Sequence, residues 1–161
     1  MRSLENSVFP ASLENDILVL ALGSNLGNRE QNIQLAYQHI ETQLGPIIKK
    51  SSFIQTAPEG FFSDEYFLNT CIVVKCTKDA FDILSICKKI ETNLGRVKTK
   101  ASYEDRPIDI DIIFYGQRVF ESKLLSIPHL NYFTRSFVLT PLLELSNFQD
   151  PKTKVFISEI K

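Results

Sequence analysis

Arg106-Pro107-Ile108-Asp109-Ile110-Asp111-Ile112-Ile113-Phe114 is the stretch on which the fold turns. Its alternation is that of a β-strand, whose side chains point by turns to opposite faces. Ile108, Ile110, Ile112 and Phe114 then share one face. Asp109 and Asp111 share the other, about 7 Å apart along the strand. Like charges this close on a half-buried surface repel and lose hydration, and a cation between them relieves both costs. Oxygen-only donors at this spacing suit Mg2+, which takes one or two carboxylates together with substrate phosphates. Arg106, just upstream, is a candidate partner for those phosphates. A solvated edge strand without a ligand can also carry Asp-x-Asp. The apolar flanks favour a central strand, and with it a metal site.

Upstream, Ile17–Leu22 is a short apolar run that reads as a buried strand ending at Gly23-Ser24-Asn25. Asn28 with Gln31 three residues on resembles a capping box. Ile33, Tyr37, Ile40 and Leu44 then recur at helical spacing, and Gly45-Pro46 stops the helix. Ile47–Thr56 reads as a strand, Ala57–Glu65 as a loop and Tyr66–Cys76 as a further strand rich in Val and Ile. A second helix spans Asp79–Leu94, with Phe81, Leu84, Cys87 or Ile86, Ile90 and Leu94 inside and Gly95 as its stop. Arg96–Asp105 is a polar, basic loop. Downstream of the Asp-x-Asp strand come Gly116, a short hairpin arm through Val119, a loop at Ile127-Pro128-His129, and a short helix over Phe137–Leu145.

The order β-α-β-β-α-β plus a C-terminal extension predicts an α+β, ferredoxin-like fold. Its sheet is antiparallel with helices on one face, the Asp-x-Asp strand is central, and the other face is free to carry a site. Residues 1–15 read as a flexible tail and residues 16–161 as a single domain. Ser-Leu-Glu-Asn occurs at Ser3–Asn6 and Ser12–Asn15, but two tetrapeptides do not make a repeat architecture.

The chain has 161 residues, 43% hydrophobic and 23% charged, which fits one globular domain with a real core. A formal net charge of −1 supplies no global field toward nucleic acid or anionic membrane. No apolar run is long enough to span a bilayer, and Glu5, Glu14 and Asp16 interrupt any signal-peptide core. Cys71, Cys76 and Cys87 form no Cys-x-x-Cys pair, so packed, reduced thiols in a cytoplasmic protein are expected. The oligomeric state is not written in the sequence, and a monomer is compatible with it.

Four cations, Arg96, Lys98, Lys100 and Arg106, lead directly into the two acids. They form either a solvated loop or a clamp on a polyphosphate whose Mg2+ sits on Asp109 and Asp111, and the adjacent acids favour the clamp. His129 and Arg135 lie six residues apart and can donate to phosphate or ribose, although His129, after a Pro, can equally cap a turn. With His39 inside a helix, a His-based zinc site is not expected. Asn69 is costly if buried unpaired. It either pairs with a neighbouring loop or, with Phe67 on the same face, lines a pocket where Phe stacks on a heterocycle and Asn reads its edge. Gly23-Ser24-Asn25-Leu26-Gly27 lacks a Gly-Lys-Ser/Thr ending and reads as a strand-to-helix turn with a cap.

The residues that carry a family resemblance fall in six ordered stretches. They are Ala21–Gly27, Ser51–Phe53 through Thr56–Pro58, Phe67–Asn69, Ile90-Glu91 through Leu94–Arg96, Arg106–Asp111, and Ile127–His129 through Arg135–Phe137. Across about Asp16 to Leu145 the chain resembles the 6-hydroxymethyl-7,8-dihydropterin pyrophosphokinase family. The resemblance implies transfer of pyrophosphate from ATP to the pterin hydroxymethyl group, giving AMP, in folate biosynthesis. It implies two Mg2+ ions on Asp109 and Asp111, with Arg96 and Arg106 assisting transfer from loops. Glu91, Lys98, Ile112, His129 and Arg135 would face ATP. Phe67 and Phe137 would sandwich the pterin, Asn69 and the backbone around Thr56, Ala57 and Glu59 would read its edge, and Tyr103 would sit at an aromatic lid position.

Three departures stand out. Glu104-Asp105 replace the small residues usual before the catalytic-loop Arg, Glu59 replaces an apolar residue, and Phe67 and Tyr103 replace other aromatics. The two acids should weaken anion binding unless they move aside when the site closes. From the residues alone, a ferredoxin-like binding module without chemistry and another Mg2+-dependent nucleotidyl transferase stay open. The acidic pair opposes the first, and the aromatic–Asn pair favours a flat heterocyclic acceptor.

Overall fold

The computed structural model describes residues 13–57, 66–95 and 107–160. Strand β1 (Ile17–Ser24) is followed by helix α1 (Arg29–Gln43), strands β2 (Ile47–Lys50), β3 (Ile54–Thr56) and β4 (Phe67–Lys75), and helix α2 (Ala80–Asn93). Strand β5 (Asp109–Tyr115), the small hairpin β6 (Phe120–Glu121) and β7 (Ser126–Ile127), and helix α3 (Ser136–Leu145) complete the order. The main sheet runs β2-β4-β1-β5, with β3 also on β4, and every pairing is antiparallel.

Local chemistry explains the helix starts. The Asn28 side chain accepts the Gln31 backbone N–H at 3.1 Å, and Asp79 accepts that of Phe81 at 3.0 Å, each satisfying an orphan donor of the first turn. Ile33, Ala36, Tyr37 and Ile40 of α1 and Ala80, Ile83, Cys87 and Ile90 of α2 face one side of the sheet. There they meet Leu18, Leu20 and Leu22 of β1 and Ile72 and Val74 of β4. At the end of α1, Gly45 has φ of 152° and comes so close to β4 that a Cβ would lie 2.0 Å from the Lys75 carbonyl oxygen.

The opposite face has its own core. Val19, Ala21, Cys71, Val73, Ile113 and Phe114 pack against Val138, Leu142 and Leu145 of α3 and against Phe148 and Ile157 beyond it. All eight residues of β1 are buried, as a strand covered on both faces requires.

Several expectations are corrected. The Asp-x-Asp strand is the edge of the main sheet, paired only with β1 among the described strands. Only α1 and α2 share a face, because α3, in the extension, covers part of the face expected to be bare. The register of β1 with β5 shifts between Val19 and Leu20, so that Leu20 opposes Ile112 but Val19 opposes Phe114. That extra residue is a β-bulge, and it turns Phe114 away from Ile108, Ile110 and Ile112 to the opposite face. The expected strand 47–56 is interrupted at Ser51–Phe53. There the Ser51 N–H donates to the Cys71 carbonyl and the Ser51 hydroxyl accepts from the Cys71 N–H, both at 2.9 Å. Phe81 is 43% exposed, its ring meeting Phe120 edge-on rather than filling the core. Leu13, expected in the tail, is buried in the second core.

Candidate active site

Strand register sets the site. Asp109, Gly23, Asn69 and Ile54 form one row across four strands, and Asp111, Ala21 and Cys71 form the next. These rows lie on the α3 side of the sheet, by the alternation that puts Ile110 and Ile112 on the other. One step along β4 from Asn69, on the same face, is Phe67, opposite Thr56. The Asn69 side-chain amide donates to the Thr56 hydroxyl at 2.8 Å. The Asn69 side chain lies across Gly23, where a Cβ would stand 2.9 Å from its Oδ1 and 3.4 Å from the Phe67 ring. Asn69 is therefore buried with a partner, and its carbonyl end is held over a strand that has no side chain to obstruct it.

Helix α3 and the segment before it supply the opposing wall. Phe137 stands in the first turn of α3, and the Arg135 guanidinium lies 5.7 Å from its ring centroid. His129 is fixed by its own N–H, which donates to the Ile113 carbonyl at 2.9 Å, and by Nδ1, which accepts the Asn131 N–H at 3.1 Å. Nδ1 is thus the unprotonated nitrogen and Nε2 carries the hydrogen. Burial and the nearby Arg135 charge push the His129 pKa below the usual histidine value, against a smaller opposite pull from Asp109. The imidazole is neutral at pH 7.

On the far side of β5, the Glu91 carboxylate is 8% exposed and accepts the Ile110 N–H at 2.8 Å. A helix side chain thereby satisfies an amide on the outer edge of the sheet. Ile112, two residues along and still before the bulge, directs its amide to the same edge.

One cavity of about 450 Å³ collects these groups. Its walls include Thr56, Ala57, Phe67, Asn69, Glu91, Asp109, Asp111, Ile112, His129, Arg135 and Phe137. It also touches Leu84, Lys88 and Leu125, so it wraps around both sides of β5. Glu59, Arg96, Lys98, Tyr103 and Arg106 lie outside the described residues. Gly23 and Lys88 escaped the sequence reading as site residues. Lys88 stands one helical turn before Glu91, a spacing that could have flagged it. Gly23 is recognisable only once its cross-strand neighbour is known.

The donor set fits a hard divalent cation. Asp109 and Asp111 are oxygen donors opening on the cavity, and no cluster of three or more His, Cys, Asp or Glu exists among the described residues. Two carboxylates leave most of a six-coordinate shell to water and substrate, as Mg2+ requires. Asp111 acts through the sheet as well: burial first, and then its charge, holds the Cys71 thiol far above its ordinary pKa.

Comparison with known proteins places the chain in a family. Residues 19–147 match the family model for 7,8-dihydro-6-hydroxymethylpterin-pyrophosphokinase. A 2-amino-4-hydroxy-6-hydroxymethyldihydropteridine pyrophosphokinase of Porphyromonas gingivalis is 36% identical over 139 residues, covering 84% of this chain and 95% of that one. The Bacillus subtilis enzyme of the same name is 34% identical over 135 residues, covering 81% and 78%. In structure, Plasmodium falciparum HPPK-DHPS with pteroate superposes with a TM-score of 0.73 over 91% of this chain at 17% identity, a likeness of fold. This chain spans 44% of that larger one. The protein is thus an enzyme of the pyrophosphokinase class, a transferase. More closely, the chain belongs to the 7,8-dihydro-6-hydroxymethylpterin-pyrophosphokinase family of folate biosynthesis. No described helix is long and apolar enough to cross a membrane.

Proposed function

We propose that the chain transfers pyrophosphate from ATP to 6-hydroxymethyl-7,8-dihydropterin, releasing AMP, and that it needs two Mg2+ ions to do so. The observation that carries this reading is the cavity around β5. Asp109 and Asp111 stand between a compartment walled by Phe67, Asn69 and Phe137 and an edge formed by Glu91, Ile110 and Ile112.

The aromatic compartment suits a flat heterocycle. Phe67 and Phe137 flank its plane, and Asn69, Thr56 and the backbone at Ala57 read its polar edge; the family resemblance adds Glu59 and Tyr103 to the pterin-binding set. The outer edge of β5 suits the nucleotide, held by the Ile112 backbone beside Glu91. His129 and Arg135 offer donors to its ribose and phosphates, and Lys98 adds a charge. Mg2+ held by Asp109 and Asp111 would neutralise phosphate oxygens and keep nucleophile and leaving group in line. Arg96 and Arg106 stabilise the charge that develops on the transferred group, because such transfer depends on positioning and electrostatics rather than covalent catalysis.

The test is an AMP-release assay with ATP, Mg2+ and the pterin, run beside metal-free and pterin-free controls. AMP is expected only in the complete mixture, and Asp109→Ala or Asp111→Ala should abolish it. Near-normal turnover in either variant would sink the metal assignment. A folded, nucleotide-binding protein that releases no AMP would make the chain a binding module or the servant of another acceptor.

A further inference from the structure

No step of this transfer uses the chain beyond α3, yet that segment packs against α3 and β5 behind the cavity. The β5 bulge turns Phe114 toward α3, where its ring meets Tyr132 at 5.1 Å and Phe148 at 5.8 Å. Tyr132 is 2% exposed and sits in a 3-10 turn, Tyr132–Thr134, midway between His129 and Arg135. Its hydroxyl donates to Asp150 Oδ2 at 2.5 Å. Asp150, itself 4% exposed, holds its other oxygen against the N–H groups of Lys152 and Thr153 at 2.7 and 3.1 Å. Its own backbone pairs with Val155 and Lys154. The carboxylate is therefore immobilised on one oxygen and offers the other as a fixed acceptor. A charge-assisted bond of this length is the strong kind. Asp150 also lies past residue 147, where the family match ends.

We propose that Tyr132 and Asp150 are positioning residues, whose hydrogen bond sets where His129 and Arg135 stand over the cavity. The inference rests on the reading that those two side chains face ATP. From Tyr132 the constraint runs both ways along a short backbone. The Arg135 N–H donates to the Tyr132 carbonyl at 3.3 Å. In the other direction the Asn131 N–H donates to His129 Nδ1 and so orients the imidazole. A shift of the tyrosine ring displaces both donors, and small displacements of positioning groups are costly in transfer reactions.

The experiment is steady-state kinetics on Tyr132→Phe, which keeps the ring against Phe114 and deletes one oxygen. The KM for ATP should rise about five- to tenfold while the KM for the pterin stays within about twofold. Asp150→Asn keeps a hydrogen-bonding group for both the turn and the tyrosine, so it should fall between parent and Tyr132→Phe. The double variant should be no worse than Tyr132→Phe alone. A lowered melting temperature with both KM values unchanged would reduce the pair to a structural tie and overturn the proposal. His129→Ala separates the two layers of the argument. If it raises the KM for ATP and Tyr132→Phe does not, positioning alone fails. If neither His129→Ala nor Arg135→Ala moves that KM, the nucleotide-facing reading falls and takes the proposal with it.

Discussion

Gly23 shows how one missing atom can define a site. A methyl group there would meet Asn69 Oδ1 at 2.9 Å and crowd the Phe67 ring, so Gly23→Ala should push both side chains into the compartment proposed for the pterin. We expect the KM for the pterin to rise about tenfold or more, with the KM for ATP unchanged; equal KM values for parent and variant would show that Asn69 swings clear. His129 carries a pH prediction. Its folded pKa is depressed, so as pH falls the unfolded chain takes up the proton first. Its contribution to stability is therefore complete above about pH 6.5 and is lost as pH drops toward the folded value. Denaturant titrations across that window should show a steeper loss in the parent than in His129→Gln, and parallel slopes would contradict the burial argument. At this scale the sequence was informative where chemistry is local. Strand alternation alone put Asp109 and Asp111 on one face, and the cost of burying Asn69 pointed to a partner, found in Thr56. The bond from Tyr132 to Asp150 joins residues 18 apart, and no periodicity announces it.

Among the elements, β5 departs most from its sequence reading. An unbroken alternation puts Phe114 with the isoleucines, whereas the bulge sends it to the α3 face. Nothing in Ile112-Ile113-Phe114 distinguishes the two outcomes, because all three residues are apolar and either face is a core. The edge position of β5 was hidden for the same reason: Glu91 and the hairpin cover it, so its composition is that of an interior strand. Helix starts, by contrast, were legible: Asn28 does the capping expected of it, and the helix expected from Asp79 begins there, with that side chain as its cap. Phe114→Ala should cost about 3–5 kcal/mol, measured by urea unfolding. A loss below about 1 kcal/mol would mean that Tyr132 and Phe148 close the gap.

For the whole molecule, the order β-α-β-β-α-β was enough to give the ferredoxin-like sheet, but not the use made of its second face. That face is shared between α3 with the C-terminal segment and the acidic end of the cavity. A chain ending at Asn147 would lose the fully buried Phe148 and Ile157, worth about 3–6 kcal/mol for the two side chains. That is a large part of the stability of a small domain. Its thermal transition should become broad and low; a sharp transition near the parent's would make the segment dispensable for folding.

The three buried thiols have a separate consequence. Cys76 and Cys87 lie in the α1–α2 core and Cys71 in the α3 core. Burial pushes the Cys87 thiol up to about 12 and raises that of Cys71 as well, and all three side chains are buried, so the folded enzyme shields its cysteines from an alkylating reagent. Each cysteine is thus a timed tag for the opening of its own layer. A single labelling rate for all three would mean that the sheet sheds both coats together. Earlier modification of Cys71 would mean that the α3 layer peels away while the helix pair is still seated.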